Sequence, residues 1–304
     1  MSNHKDSPAI ISEMEQASGV SAQELAVLRP GLDRVREKLH LASMRKTTLV
    51  EDAAYSLFGI FNAGIPAMYG EGNRAVGRLL EHILMGSGDV TILAWTGRAG
   101  RYNSCLPEDL TVYDQIAPPH IPPPIETVEI DRIVKGLRLS SPDPTLVEML
   151  YNRLHDLPSP SFAASRLRLP GIVFPLTELD RTSGPDPTTN VYVYRATTST
   201  LGKVEIKTTD DLTGMKDFCL VHPWIPPLLD QEHLAMDSAT SLDKTARALR
   251  LVARLRQPFG ALLFAPLSRV EYKRVAVDSL IMVRISDGTS LTGLIDNVRT
   301  IDVK

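Results

Sequence analysis

"RKTTLVEDAAYSLFGIFNAGIPAMYGEGNRAVGRLLEHIL" runs from Arg45 to Leu84. In its first half Val50, Ala53, Ala54, Leu57 and Phe58 recur at helical spacing, and Gly59 reads as a stop signal. In its second half Ala75, Val76, Leu79, Leu80, Ile83 and Leu84 share one helical face, leaving Arg74, Arg78 and Glu81 outside. Between the two lies a turn, Tyr69-Gly70-Glu71-Gly72. Glycines ahead of a helix can present N–H groups to a phosphate. This turn has no lysine-bearing phosphate-loop pattern and no G-x-G-x-x-G after a strand, and Gly77 falls inside the helix. Glu71 near the helix start suits the helix dipole but would repel an anion. The stretch therefore reads as two helices joined by a tight turn.

Upstream, "SAQELAVL" carries a capping box, Ser21 with Glu24, and "DRVREKLHLASM" aligns Val35, Leu39 and Ala42 on one face. The six basic groups between Arg29 and Lys46 are interrupted by Asp33 and Glu37 and read as a solvated helix face. Glu51-Asp52 reads as the acidic first turn of a helix, since helix neighbours point to different faces. Downstream, "VTILAWTG" reads as a short buried strand or extended segment. Five prolines in the eight residues of "APPHIPPP" (117–124) exclude helix and central strand and read as a stiff linker.

"TLVEMLYNRL" reads as a short helix, and after residue 165 the period shifts towards two. "RLRLP", "NVYVYRA", "KVEIKT", "DFCLV", "FGALLF", "RVEYKRVAV", "SLIMVRI" and "VRTIDV" are eight strand candidates. One helix interrupts them, with Leu242, Ala246, Leu249 and Ala253 in register and Pro258 at its exit. The expected fold class is α+β: an N-terminal helical region (1–98), a Pro-rich linker (99–145) and a mainly antiparallel β domain with one packed helix (146–304).

Composition narrows the function. A net charge of -3 argues against a dedicated nucleic-acid binder. Two cysteines, Cys105 and Cys219, make no disulfide framework, which fits a reducing compartment; the expected location is cytoplasmic. No stretch reaches the roughly 20 apolar residues of a membrane span. Cys219 and His222 form one C-x-x-H pair, with His233 and Cys105 elsewhere, and a zinc site needs more. Cys219 therefore reads as a core thiol. No G-x-S-x-G and no cysteine–histidine–asparagine motif stands out, and no cofactor is expected.

The opening stretch resembles a signature of the fungal heterokaryon-incompatibility (HET) family. The resemblance rests on Arg45-Lys46-Thr47-Thr48, Glu51-Asp52, Ala54-Tyr55-Ser56-Leu57, Gly59-Ile60-Phe61, Pro66, Tyr69-Gly70-Glu71-Gly72, Ala75, Arg78-Leu79 and Ala94-Trp95. It covers about 50 residues closely; "YNSCLPEDL" and the C-terminal region are similar to basidiomycete members. Such proteins normally begin with a TIR-like α/β half carrying Tyr-Trp-Gly and Arg-x-Trp-Thr-Leu-Gln-Glu blocks. Neither is in this chain, which is expected to start downstream of them, so the resemblance supplies no catalytic residue. It implies a non-catalytic role in non-self recognition and regulated cell death, through contacts with full-length HET-type relatives or with the absent half. Were that half supplied, a TIR-like NAD hydrolase would be conceivable; a small-molecule or nucleic-acid binding module is the remaining alternative. Within the signature, Tyr55, Leu57, Phe58, Phe61, Tyr69 and Trp95 are expected as apolar anchors, Gly59, Pro66, Gly70 and Gly72 as turn formers, and Arg45, Glu51, Asp52 and Glu71 as a polar network at the joint; Arg78 is a further residue of the signature.

Overall fold

The computed structural model describes residues 8–18, 21–23, 28–43, 47–114, 132–137, 143–224, 244–268, 270–286 and 289–304. Arg45 and Lys46, Glu24 of the expected capping box, the proline run 117–124, His233 and Leu242 lie outside these residues.

The helical part comprises α1 (Pro8–Ser18), α2 (Val35–Ser43), α3 (Asp52–Phe58) and α4 (Arg74–Ser87). The apolar stripe of α4 is fully buried, from Ala75 to Leu84, and meets Val35, Leu39 and Ala42 of α2 and Leu57 of α3 in one core. Each buried aliphatic side chain contributes about 1.5–3 kcal/mol. Helix α4 ends where Gly88 turns left-handed and its N–H reaches the Leu84 carbonyl. Helix α3 stops differently from the expectation. Gly59 keeps right-handed geometry, whereas Asn62 takes the left-handed position (φ 51°) and the Ala63 N–H closes back on the Phe58 carbonyl at 2.8 Å. Asparagine tolerates that conformation because its short polar side chain is not β-branched. Val50 precedes α3 and is 53% exposed, so it does not belong to the buried stripe.

"VTILAWTG" does not form a strand. Asp89 Oδ1 accepts the Thr91 N–H at 2.9 Å and starts a 3-10 turn, Val90–Leu93, which buries Ile92 and Leu93. This local side-chain bond overrides the β-branched composition. Cys105, Leu106, Leu110 and Tyr113 follow it into the same core.

The β half is built from α5 (Pro144–His155), β1 (Ser161–Ala163), β2 (Arg166–Pro175), β3 (Glu178–Ser183), β4 (Tyr192–Thr198), β5 (Gly202–Thr208), β6 (Cys219–Pro223), α6 (Lys244–Leu255), β7 (Phe259–Pro266), β8 (Glu271–Arg274), β9 (Ile281–Val283), α7 (Leu291–Asn297) and β10 (Val298–Val303). Hydrogen bonds run from β2 to β10, β8, β7, β6 and back to β2, closing a ring of five strands. Strands β1 and β9 attach to β2 and β7, and β3–β4–β5 form a separate antiparallel meander. Every pairing is antiparallel except β8 with β10. The fold is α+β. Beside α6, the one helix expected on the β half, α5 and the seven-residue α7 pack there too.

Alternation along the strands divides the ring between two cores. Leu167, Leu169, Val173, Cys219, Val221, Leu262, Phe264, Ile301 and Val303 join the core of α2 and α4. Ile172, Phe174, Leu220, Ala261 and Leu263 join the core under α5, α6 and α7. The helical region therefore shares an apolar core with one face of the β ring.

Candidate functional site

Two polar constellations stand out. The first is the joint between α3 and α4. Glu51, buried just ahead of α3, accepts the Gly70 N–H on Oε1 at 2.9 Å, and this bond holds its carboxyl below the ordinary range. Tyr55 donates its hydroxyl to Glu71 Oε1 at 2.8 Å and accepts the Met68 N–H at 2.9 Å. Desolvation first, and Glu71 next, raise the Tyr55 pKa. Arg78, one turn into α4, donates to Glu71 Oε1 at 2.7 Å and to the Pro66 carbonyl at 2.8 Å. Gly70 (φ 91°) and Gly72 (φ 57°) adopt the left-handed backbone that side-chain-bearing residues rarely take, which lets the loop double back onto Glu51 and Tyr55.

The hydrogen bonds join a different set from the expected one: Glu71 pairs with Tyr55 and Arg78, Glu51 with the Gly70 backbone, and Arg45 lies outside the described residues. Asp52 stands in the first turn of α3, where its charge suits the helix dipole, and outside this set of hydrogen bonds. Leu57, Phe61 and Trp95 are buried anchors as expected, while Tyr55 and Phe58 are half-buried and meet edge-on at 5.3 Å. Tyr69 corrects the expectation. It is 74% exposed and meets Tyr55 edge-on, 5.5 Å between ring centres, where the left-handed Gly70 turns the loop. Leu49 and Val50, just ahead of Glu51, and Met68, beside Tyr69, are also exposed. Glu71 is a hub for two donors rather than a free base.

The second constellation lies outside the signature's expected polar residues. Arg274 on β8 is 1% exposed. It donates to the carbonyls of Leu93 at 2.7 Å, Trp95 at 2.9 Å and Cys105 at 3.3 Å, with its guanidinium carbon 3.8 Å from the centre of the Trp95 ring. Burial lowers its pKa to about 10, leaving it charged at neutral pH. Arg36 on α2 is buried as well and donates to the carbonyls of Thr91 at 3.0 Å and Ala94 at 2.6 Å, over the Tyr113 ring. Lys38 is also buried, bound to Asp33 and the Gly31 carbonyl. The basic run is therefore not wholly a solvated face: two of its cations have found carbonyls and rings in the core. In the sequence these residues look like ordinary strand and helix charges, because their partners lie far along the chain.

Cys105 and Cys219 are buried thiols whose pKa burial raises to about 12. Among the described residues no group of three or more His, Cys, Asp or Glu comes together as a metal would need, and no helix is long and apolar enough to cross a membrane.

No family model and no solved structure matches the chain. The class of protein to which part of it is similar is the fungal vegetative-incompatibility proteins. The match is to vegetative incompatibility protein HET-E-1 of Podospora anserina, 48% identical over 50 residues. That segment is 16% of this chain and 4% of the relative, so the likeness concerns a small part of a much longer protein.

Proposed function

We propose that this chain is a HET-type protein of fungal vegetative incompatibility. In this reading it acts in the cytoplasm in non-self recognition and regulated cell death, without a catalytic centre or cofactor of its own. It works by contact with another protein, and the partner we propose is another HET-type protein. The similarity to HET-E-1 supports the family reading. The observation that carries the contact reading is the joint: Met68 and Tyr69 of its loop, and Leu49 and Val50 just ahead of Glu51, are exposed, and Glu51 is bonded to the loop at Gly70. Exposed apolar side chains gathered on a rigid support are characteristic of surfaces that bind other proteins.

The test pairs binding with an incompatibility assay. The chain, and a Met68→Ser/Tyr69→Ser variant, are expressed in a fungus carrying HET-type proteins. The expected result is co-purification of a HET-type protein and an altered incompatibility reaction with the unmodified chain, both lost in the variant at unchanged melting temperature. An unmodified chain that purifies alone and leaves the reaction unchanged overturns the reading.

A further inference from the structure

Two arginines from different parts of the molecule grip the same short stretch of backbone. Between Thr91 and Trp95 the carbonyls of Thr91 and Ala94 go to Arg36 of α2, and those of Leu93 and Trp95 go to Arg274 of β8. The next ten residues are stitched on both sides. Asn103 donates to the carbonyls of Val303 at 2.8 Å and Ser165 at 2.9 Å, Ser104 Oγ accepts the Arg274 N–H at 3.0 Å, and the Trp95 indole donates to the Cys105 carbonyl at 2.9 Å. On the helical side Tyr102 seats against Gly77 of α4, where a Cβ would come within 2.4 Å of it, and its hydroxyl donates to Glu81.

We infer that residues 91–105 form a strap that latches the signature-bearing helices to the β ring, with Arg274 as the catch: seated, it joins the two halves into one cooperative unit; released, it frees them together with the apolar faces they share. Three features support a catch over ordinary packing. Every hydrogen bond of the Arg274 guanidinium among the described residues goes to a strap carbonyl, so the strap solvates the cation in place of water. A buried cation stripped of such partners is strongly disfavoured, so the strap cannot loosen by degrees; guanidinium and carbonyls must part as a set. Among the described residues the Nε–H groups of Arg36 and Arg274 are both buried without a hydrogen-bond partner, which costs the latched state and narrows its advantage over the released one. The inference stands whether or not the tip of the joint takes a partner.

Hydrogen exchange read peptide by peptide tests it on the unmodified chain and on Arg274→Met, which keeps much of the side-chain volume without charge or donors. In the unmodified chain, amides of α4, the strap and β10 are expected to exchange through one common opening. In Arg274→Met, exchange in the strap and α4 should rise by about tenfold or more, with the β3–β5 meander unchanged. A strap that already opens independently of both halves in the unmodified chain overturns the inference, as does a variant whose exchange rises uniformly or not at all. If the variant fails to fold, the comparison of α4, strap and β10 in the unmodified chain decides alone.

Discussion

The joint between α3 and α4 and the clasp of Arg274 on the strap carbonyls are both polar networks built around arginine, but water reaches one and not the other. At the joint Arg78 meets a carboxylate, Glu71, and both side chains keep some exposure, 17% and 9%. At the clasp Arg274 meets only carbonyl dipoles and the face of Trp95, in a site closed to solvent. A partly wet ion pair can lose a member and be rescued by water; a dry cation cannot. The joint is therefore suited to hold a loop in shape while presenting its tip. The clasp is suited to hold two parts of the chain together.

The strongest way to break this comparison is Arg274→Met. The substitution takes the donor from the Trp95 carbonyl in a dry core, leaves the Leu93 carbonyl with the Trp95 N–H alone at 3.2 Å, and removes the cation from the Trp95 ring. A buried carbonyl left without its donor costs roughly 1–3 kcal/mol. Chemical denaturation should show that loss; a change below about 1 kcal/mol would mean that the clasp is no more demanding than a surface pair.

His222 offers a second contrast within the β half. Its ring packs against Phe259, 4.3 Å between centres, and beside Trp224, with Nδ1 3.3 Å from the Gly260 carbonyl. Where Arg274 has several carbonyls to carry its charge, His222 has one, and desolvation lowers its pKa from 6.5 to about 4. Between those values the unfolded chain binds the proton more readily than the folded one. The stabilisation is therefore complete above pH 6.5, falls as the pH drops, and is gone below about pH 4. The full shift would correspond to about 3 kcal/mol; the ring is only half-buried, and solvent screening reduces this to about 1–2 kcal/mol. Urea midpoints measured across this range should fall with pH, and His222→Phe should flatten that part of the slope.

At the joint the expected losses are smaller. Glu71→Gln keeps an oxygen for Tyr55 but removes the charge that Arg78 faces. It should cost about 1–2 kcal/mol, with much of the difference from the unmodified chain disappearing at high salt. A salt-independent loss would place Glu71 with the dry networks.

The division between legible and hidden follows the same line. Helix α4 and the strands could be read because periodicity reports which face is buried; Ala75 to Leu84 obey it, as does the start of β2 at Leu167 and Leu169, beyond which both faces are buried. The joint is half legible: the sequence points to Glu51 and Glu71, whereas Tyr55 looks like an apolar anchor and nothing in the spacing marks its hydroxyl as a donor to Glu71. The clasp was hidden. Arg36 finds Thr91 and Ala94 across 55 and 58 residues, and Arg274 finds Leu93 and Trp95 across 181 and 179. Spacing along a chain carries no signal for a cation that is buried by partners so distant. Asn62, which replaces Gly59 as the left-handed stop, escaped because composition favours glycine there.

Tyr69→Ala separates fold from function most cleanly and should have the smallest effect on stability. An aromatic residue beside a glycine-rich turn looks like a core anchor, and loss of a buried one would cost about 3–5 kcal/mol. Here the ring stands 74% exposed, with an edge-on contact to Tyr55 as its aromatic neighbour, while the Tyr55 hydroxyl keeps its bonds to Glu71 and Met68 without it. Truncation should therefore change stability by less than about 0.5 kcal/mol. A melting temperature within a degree or two of the unmodified chain, together with loss of partner capture, would assign Tyr69 to the contact surface. A large drop in melting temperature would place it back among the anchors and remove the tip as an independent surface.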